Sequence, residues 1–323
     1  MTMKRICLRN TPFFPEQTER VRILAAENGY EAVTLLPNEE PNPAFYRDFE
    51  VMAGYFPKEA IRAAEALRWL HCPAAGVEKL LDPALYPNAR VVLTNSSGAF
   101  GDAIAEYLLC GLIMLTRRMP EYMANQRSRV WRRAGPGGMV KGATVTVVGM
   151  GDLGQSVARR LFALGATVRG VRRTMGDCPP FVAELYPVSR LKEAVAGADA
   201  VMLCLPATNE TRGLMDAEAF AAMKRGAYFL NAGRGATVNE AALLAALSCG
   251  RLGGAVLDVA AVEPLSEASP LWAMENVIIT PHIAGSDFDP GNIPAMFDIF
   301  FDNLNRYFRG EPLKNAVDRA RGY

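Results

Sequence analysis

The chain has 323 residues, 50% of them hydrophobic and 21% charged, which is enough for about two domains with sizeable cores. Its 35 Lys and Arg residues and 34 Asp and Glu residues leave a formal charge of +1, which excludes a global attraction to nucleic acid or to an anionic membrane. The most apolar stretch, residues 107–115, is far shorter than the roughly 20 residues that a membrane-spanning helix needs.

The start of the chain and its cysteines predict a cytoplasmic protein. The segment MTMKRICLRN lacks the apolar core of a secretion signal. The six cysteines form no CxxC pair, so neither a metal site nor a disulfide framework is expected. Only two histidines are present, His71 and His282, and His71 is expected to be structural because it closes a predicted strand.

The first part of the chain predicts a small α/β unit with frequent turns. Its strands are expected over residues 5–8, 32–35, 68–71 and 91–93. Phe13, Phe14 and Tyr55 fall on predicted loops, where they could line a pocket for an apolar substrate tail. A long apolar helix over residues 102–118 follows and should be buried on most sides or against a partner.

From Thr144 onward, apolar β-rich runs alternate with helical stretches, which predicts a parallel, doubly wound sheet. Ser189, Asp216 and Asn239 are predicted to cap the helices that follow them. A final helix with an apolar stripe, over residues 297–308, is expected to return to the N-terminal unit. The six predicted strands cover residues 144–148, 167–171, 200–205, 228–231, 255–258 and 277–280.

A glycine-rich turn at Gly149, Gly151 and Gly154 joins the first of these strands to a helix. In this setting the glycines permit a tight turn, a close approach of a pyrophosphate and close helix packing, and the helix N-terminus offers amides to the phosphates. The motif therefore predicts a dinucleotide site. The alternative is a glycine-rich connection that binds no ligand.

The next strand ends at Arg172, followed by Arg173 and Thr174, where an NAD-binding protein usually has an acidic residue for the ribose hydroxyls. A guanidinium group pairs with a 2′-phosphate, so NADP(H) is the favoured cofactor. The alternative is that both arginines are solvated and that the nearby Asp177 serves NAD.

Three polar residues follow three later strands: Arg234, Glu263 and His282. Loops after parallel strands converge at one edge of a sheet, so these side chains are expected to meet near the nicotinamide. Arginine can clamp a substrate carboxylate, histidine can donate a proton, and the glutamate would favour the imidazolium form. Asp258 could receive the nicotinamide amide. Each residue alone is also compatible with a structural role; their joint occurrence behind a dinucleotide turn favours reduction of a 2-oxo acid.

With these motifs in order, the sequence resembles the D-isomer-specific 2-hydroxyacid dehydrogenases over nearly the whole chain, and within them the NADPH-preferring reductases of glyoxylate and hydroxypyruvate. The resemblance rests on residues 75–78, 104–106, 149–154, 205–211, 231–235, 257–265 and 280–282. It implies that Arg234, Glu263 and His282 are catalytic and that the loop at Ala75 and Gly76 binds the substrate carboxylate together with Arg234. His282 is also expected to contact the substrate. The implied cofactor-binding residues are Gly149, Gly151, Asp152, Leu153, Gly154, Arg172, Arg173, Thr174, Leu205, Pro206, Thr211, Ala232, Asp258 and Ala284.

The resemblance also implies an α/β architecture in which a Rossmann domain, residues 99–286, is inserted into a smaller flavodoxin-like substrate domain, residues 1–98 and 287–323. It also implies a homodimer that acts on a 2-oxo or 2-hydroxy acid. The near-zero net charge predicts no nucleic acid or membrane partner.

The sequence departs from the usual family pattern in two places: Glu78 replaces a common aspartate and Phe100 a common hinge asparagine. Glu263 argues against the formate-oxidising branch, which has glutamine. Two alternatives are a phosphoglycerate dehydrogenase and a corepressor-like protein that senses NAD(P) without turnover.

Overall fold

The computed structural model describes residues 3–36 and 38–322. The chain forms two compact units. Of the described residues, unit 1 contains 3–36, 38–100 and 286–322, and unit 2 contains Gly101–Gly285. Both units are built on parallel sheets with helices, which confirms the predicted α/β class. Within the described ranges, no helix is both long enough and apolar enough to cross a membrane.

Unit 1 is built on a five-stranded parallel sheet. Its strands are β1 (Lys4–Arg9), β2 (Tyr30–Leu35), β3 (Phe49–Gly54), β4 (Trp69–Cys72) and β5 (Val92–Asn95), and its first helices are α1 (Pro15–Glu27) and α2 (Lys58–Ala63). The order β2-β1-β3-β4-β5 is flavodoxin-like, as the resemblance implies. The central strand β3, which is buried along its whole length, was not among the predicted strands.

Unit 2 is built on a seven-stranded parallel sheet. Its helices are α3 (Gly101–Thr116), α4 (Met119–Arg127), α5 (Asp152–Ala163), α6 (Leu191–Val195), α7 (Ala217–Ala222) and α8 (Glu240–Ser248). Its strands are β6 (Thr144–Val148), β7 (Thr167–Arg172), β8 (Glu184–Pro187), β9 (Ala200–Leu203), β10 (Ala227–Asn231), β11 (Leu252–Leu257) and β12 (Val277–Ile279). They lie in the order β12-β11-β10-β9-β6-β7-β8. The strand order reverses between β6 and β9, which is where doubly wound sheets bind ligands.

Two of the three predicted helix caps are confirmed in unit 2. Asp216 accepts a hydrogen bond from the Ala219 amide at 2.8 Å, and Asn239 accepts one from the Ala242 amide at 3.1 Å. The prediction for Ser189 was wrong. Ser189 lies inside a single 3₁₀ turn that follows Pro187, so α6 begins two residues later, without a side-chain cap.

The last helix, α9 (Ile293–Arg309), packs within unit 1. The rings of Phe297 and Phe300 each lie 5.4 Å from that of Phe13, and Phe300 stacks on Trp69 at 5.5 Å. The helix ends at Gly310, whose φ of 69° is a left-handed conformation that glycine adopts without strain. The apolar stripe seen in the sequence therefore completes the core of unit 1.

Candidate active site

The glycine turn after β6 has the geometry of a dinucleotide site. Gly149 adopts a φ of 103°, and a Cβ there would lie 2.6 Å from the carbonyl oxygen of Cys204. A Cβ at Gly154 would lie 1.7 Å from the carbonyl oxygen of Gly149, whereas one at Gly151 would meet nothing within 4 Å. The turn is therefore closed on the protein side and open beside Gly151, which leaves the space that a pyrophosphate needs.

The first turn of α5 has no side-chain cap. Among the residues that the structure describes, no acceptor takes the amide hydrogens of Asp152, Leu153 or Gly154. Three unpaired amides at a helix N-terminus form an anion site. The residues present thus fit the phosphates of a dinucleotide.

The residues expected near the adenosine ribose lie at the end of β7. Arg172 is partly buried and makes no ion pair with any residue in the described ranges, whereas Arg173 lies 3.7 Å from the carboxylate of Glu210. Thr174 and Asp177 are exposed. Arg172 is therefore the cation at this strand end that has no carboxylate partner in unit 2.

The loop after β9 contains Leu205, Pro206 and Thr211. The hydroxyl of Thr211 donates to the Pro206 carbonyl oxygen at 2.7 Å, and the Thr208 amide donates to that hydroxyl at 2.8 Å. These bonds fold the loop back on itself directly after the strand that adjoins β6.

Arg234 follows β10 in a turn held by its neighbours. The side chain of Asn231 donates to the Arg234 carbonyl oxygen at 3.2 Å and accepts from the Gly233 amide at 3.0 Å. The Thr237 hydroxyl donates to the same Arg234 carbonyl oxygen at 2.6 Å. Gly233 packs closely, since a Cβ there would lie 2.7 Å from the Leu205 carbonyl oxygen. Ala232, which lies between Asn231 and Gly233 in the chain, is buried.

Glu263 and His282 form a pair on the loops after β11 and β12. The Nδ1 atom of His282 lies 2.8 Å from Oε2 of Glu263, and both side chains remain partly exposed. Because a carboxylate only accepts hydrogen bonds, Nδ1 carries its proton and Nε2 is the atom left to act on a ligand. A cavity of about 410 Å³ within unit 2 includes both side chains in its wall.

Asp258 holds the loop that carries His282. Its buried carboxylate accepts from the Thr280 hydroxyl at 2.6 Å and from the Ile283 and Ala284 amides, each at 2.9 Å. Its carbonyl oxygen accepts from the His282 amide at 2.8 Å. His282 itself has a left-handed φ of 57°, which this set of bonds maintains.

Tyr107 extends this network, because its hydroxyl lies 2.6 Å from the Thr280 hydroxyl. The sequence indicated neither Tyr107 nor Thr280 as a supporting residue. A threonine two residues before the histidine is the only sequence signal that could have suggested the contact.

The loop after β4, in unit 1, offers free amides. The Asn95 side chain donates to the Ala75 carbonyl oxygen at 2.7 Å, and the Ser96 amide donates to the Ala74 carbonyl oxygen at 3.2 Å. Within residues 3–36 and 38–322, nothing accepts the amide hydrogens of Ala75 or Gly76. Both therefore remain able to bind an anion such as a carboxylate.

The other histidine and the loop aromatics have structural roles in unit 1. His71 is fully buried between the hydroxyls of Thr94, at 2.9 Å, and Ser96, at 3.3 Å, and burial lowers its pKa to about 3. The expectation that it is structural is confirmed. Phe13 belongs to the core instead of a pocket, and the carbonyl oxygen of Phe14 accepts from the first turn of α1.

Comparisons with known proteins agree with this geometry. Residues 109–284 match the family model described as D-isomer specific 2-hydroxyacid dehydrogenase, NAD binding domain. A glyoxylate/hydroxypyruvate reductase A of Yersinia enterocolitica is 30% identical over 273 residues, which are 83% of this chain and 85% of that protein.

Solved structures match almost the whole chain. An NADPH-dependent glyoxylate/hydroxypyruvate reductase from Sinorhizobium meliloti, solved with NADP and sulfate, is 30% identical with a TM-score of 0.81, covering 99% of this chain and 100% of its own. A D-isomer specific 2-hydroxyacid dehydrogenase from Xanthobacter autotrophicus, solved with NADPH and MES, is 31% identical with a TM-score of 0.80 and full coverage of both chains.

Proposed function

The chain belongs to the D-isomer specific 2-hydroxyacid dehydrogenases, NAD(P)-dependent oxidoreductases, and from that premise we propose that it reduces a 2-oxo acid to a 2-hydroxy acid with NADPH. The observation that carries the proposal is the 2.8 Å contact between His282 and Glu263, on the loops next to that of Arg234. A cation, a carboxylate and an imidazole after three adjacent strands supply what this reaction needs.

Unit 2 is proposed to bind the cofactor, which supplies a hydride when bound. Gly149, Gly151 and the amides of Asp152, Leu153 and Gly154 would hold the pyrophosphate. Arg172 would pair with the 2′-phosphate, which is why NADP(H) is favoured over NAD(H). The remaining cofactor contacts are proposed for Arg173, Thr174, Leu205, Pro206, Thr211, Ala232, Asp258 and Ala284.

The proposed chemistry divides between the three catalytic residues. Arg234 binds the substrate carboxylate and polarises the carbonyl group. His282 would donate the Nε2 proton to the carbonyl oxygen, and the hydride that the bound cofactor would supply to the carbonyl carbon would complete the 2-hydroxy acid. Glu263 orients the ring by accepting the hydrogen bond from Nδ1.

Unit 1 is proposed to bind the substrate, through the free amides of Ala75 and Gly76 toward its carboxylate. The inferred substrate domain comprises residues 1–98 and 287–323, and the cofactor domain residues 99–286. All six cysteines are free thiols, which supports action in the reducing cytoplasm.

A homodimer is proposed through unit 2. Several large apolar side chains on α3, on α4 and on the loop that follows are exposed, among them Ile113, Met119 and Met123, and Trp131 is wholly exposed. Such a patch on one unit is typical of a protein interface. The near-neutral charge supports neither nucleic acid nor a membrane as partner.

A panel of 2-oxo acids, assayed by cofactor absorbance with NADPH and NADH side by side, tests the proposal. We expect turnover with small 2-oxo acids and a preference for NADPH. His282→Asn should abolish turnover and leave NADPH binding intact. No oxidation of either cofactor across the panel would refute the proposal, and a stoichiometric protein partner without turnover would favour the corepressor-like alternative.

A further inference from the structure

Tyr55 occupies a fixed position at the end of β3, the strand next to β4 in unit 1. It follows β3 directly, and its amide donates to the Arg9 carbonyl oxygen at 3.1 Å. The Arg9 guanidinium donates in return to the Tyr55 carbonyl oxygen at 2.6 Å. Gly54 allows this contact, because a Cβ there would lie 1.8 Å from the Arg9 carbonyl oxygen. The backbone of Tyr55 is therefore held on both sides.

The side chain of Tyr55 is bound to Asp287. The phenol hydroxyl donates a hydrogen bond to Oδ2 of Asp287, and the ring stacks on Phe288 with centroids 6.5 Å apart. Burial, followed by the hydrogen bond to Asp287, raises the pKa of Tyr55 well above its ordinary value. The hydroxyl therefore stays protonated and remains a donor to the carboxylate.

The loop after β4 is held unequally from its two sides. β4 lies between β3 and β5 in the sheet, so residues that follow those two strands flank the loop. On the β5 side, Asn95 and Ser96 bind the Ala75 and Ala74 carbonyl oxygens. On the β3 side the flanking residue is Tyr55, and Tyr55 and Ala74 both pack against the buried cluster that contains Cys72 and Val77, which lie on either side of the loop amides in the chain.

Asp287 also lies at an informative place in the chain. It is the second residue of the returning segment of unit 1 and follows His282 by five positions. Its carboxylate is an anion in the unit whose free amides are proposed to bind an anionic substrate. The Tyr55 hydroxyl donates to one oxygen of the Asp287 carboxylate and so reduces the effect of that negative charge on the loop after β4.

We propose that Tyr55 and Asp287 are positioning residues for the substrate carboxylate: their hydrogen bond fixes the β3 side of the loop that carries the Ala75 and Gly76 amides and screens the Asp287 charge from that loop. Asp287 acts through Tyr55. This inference rests on the proposed function, in which those two amides bind a 2-oxo acid.

The test compares Tyr55→Phe, Asp287→Asn and the double variant by steady-state kinetics with a 2-oxo acid and saturating NADPH. Loss of one charged hydrogen bond should raise KM by about 10-fold in Tyr55→Phe, with kcat changed by less than about 3-fold. The double variant should have a KM no higher than Tyr55→Phe, because the unscreened carboxylate is gone. The Kd for NADPH should be unchanged in all three.

Tyr307→Phe is the matched control. The Tyr307 hydroxyl lies 3.2 Å from the Glu50 carboxylate, near the amino end of β3. The substitution therefore removes a similar phenol–carboxylate bond at the opposite end of the strand that Tyr55 follows. We expect no change in KM. An equal rise in this control would show that any buried phenol of unit 1 has the same effect and would overturn the proposal.

Amide hydrogen exchange of residues 74–81 provides a readout that does not depend on turnover. Exchange should be faster in Tyr55→Phe and Asp287→Asn than in the wild type and unchanged in Tyr307→Phe. Unchanged exchange and unchanged KM in the first two variants would refute the positioning role. A wild type that reduces no 2-oxo acid would refute the proposed function instead, and the exchange rates would still decide whether the bond holds the loop.

Discussion

The imidazole of His282 and the carboxylate of Glu263 meet at 2.8 Å, although the two residues are 19 positions apart and follow different strands. The contact uses Nδ1 and leaves Nε2 for the substrate. It forms because β11 and β12 are neighbours in a parallel sheet, so the loops after them meet at the same edge. The Ala260 amide donates to the other Glu263 oxygen at 3.1 Å, which fixes the carboxylate.

Glu263→Gln is expected to weaken catalysis without abolishing it. The amide still accepts a hydrogen bond from Nδ1, but a neutral acceptor holds the ring more weakly than a carboxylate does, so kcat for reduction should fall by about 10- to 100-fold. Steady-state kinetics with a 2-oxo acid measure the effect. A variant with wild-type kcat would contradict the assigned role.

Thr280→Val tests whether the Asp258 network positions His282. The substitution removes one of the donors to a buried carboxylate, at a cost of about 1–3 kcal/mol, and loosens the loop that holds His282 at its left-handed φ. We expect kcat to fall by about 10-fold with little change in NADPH affinity. Thr280→Ser retains the hydroxyl and should resemble the wild type. If both variants behave alike, the hydroxyl is not the relevant group.

Arg172→Ser should change the cofactor preference. Loss of a charge-assisted contact to the 2′-phosphate should raise KM for NADPH by about 10- to 100-fold and leave KM for NADH nearly unchanged. Arg190→Ser is the control, since Arg190 is an exposed arginine of the same unit that pairs with Glu193 at 2.6 Å. Equal changes in KM for NADPH and NADH in Arg172→Ser would favour the alternative, in which the arginines are solvated and Asp177 serves NAD.

The sequence predicted the strands of unit 2 well, because each is an apolar run between polar turns. It missed β8, whose residues ELYP form a short edge strand that ends in proline, and edge strands carry little hydrophobic signal. It missed β3 as well, because FEVMAG contains a charged residue, Glu50, which the fold nevertheless buries. Short apolar runs of this kind have no periodicity that distinguishes a strand.

The candidate site was predictable where a residue follows a strand within a recognisable motif, as Arg234 does. Supporting contacts were not predictable. Tyr107 and Thr280 are 173 positions apart, and Tyr55 and Asp287 are 232 positions apart. Such pairs arise only when helices and returning segments pack, which local patterns in a single sequence do not encode.

Glu50 predicts how the stability of unit 1 depends on pH. It accepts hydrogen bonds from Tyr30 at 2.8 Å and Tyr307 at 3.2 Å and lies 3.4 Å from the Lys4 ammonium. Burial alone would raise the pKa of Glu50, but the Tyr30 bond and the Lys4 charge lower it overall. A lowered pKa in the folded state stabilises the protein above the unfolded value of about 4.3, and this contribution is lost as the pH falls through the folded value.

Glu50→Gln should therefore lower the thermal midpoint at pH 7, through a loss of about 1–3 kcal/mol. The difference from the wild type should shrink as the pH falls below the unfolded value and through the lowered pKa of folded Glu50, because the wild-type carboxyl then becomes protonated as well. Thermal unfolding followed by circular dichroism at several pH values measures it. A difference that is the same at pH 3 and pH 7 would show that the charge of Glu50 contributes nothing.

Asp152→Asn should tighten NADP(H) binding at neutral pH. Asp152 is the first residue of α5, whose unpaired amides are proposed to hold the pyrophosphate, so its carboxylate places a negative charge beside an anionic ligand.

Burial, followed by the neighbouring Asp102, raises the pKa of Asp152, so the carboxylate takes up a proton at a higher pH than an exposed aspartate does. An anionic ligand favours that protonated form, and wild-type affinity should therefore increase as the pH falls toward the raised pKa. Removing the charge should lower Kd for NADPH by about 2- to 5-fold at pH 7.5, and the Kd values of the two proteins should converge as the pH falls toward the raised pKa of Asp152. Fluorescence titration measures both values, with Glu267→Gln, an exposed carboxylate of the same unit, as the control. A ratio of Kd values that stays constant with pH would mean that the Asp152 charge does not reach the cofactor.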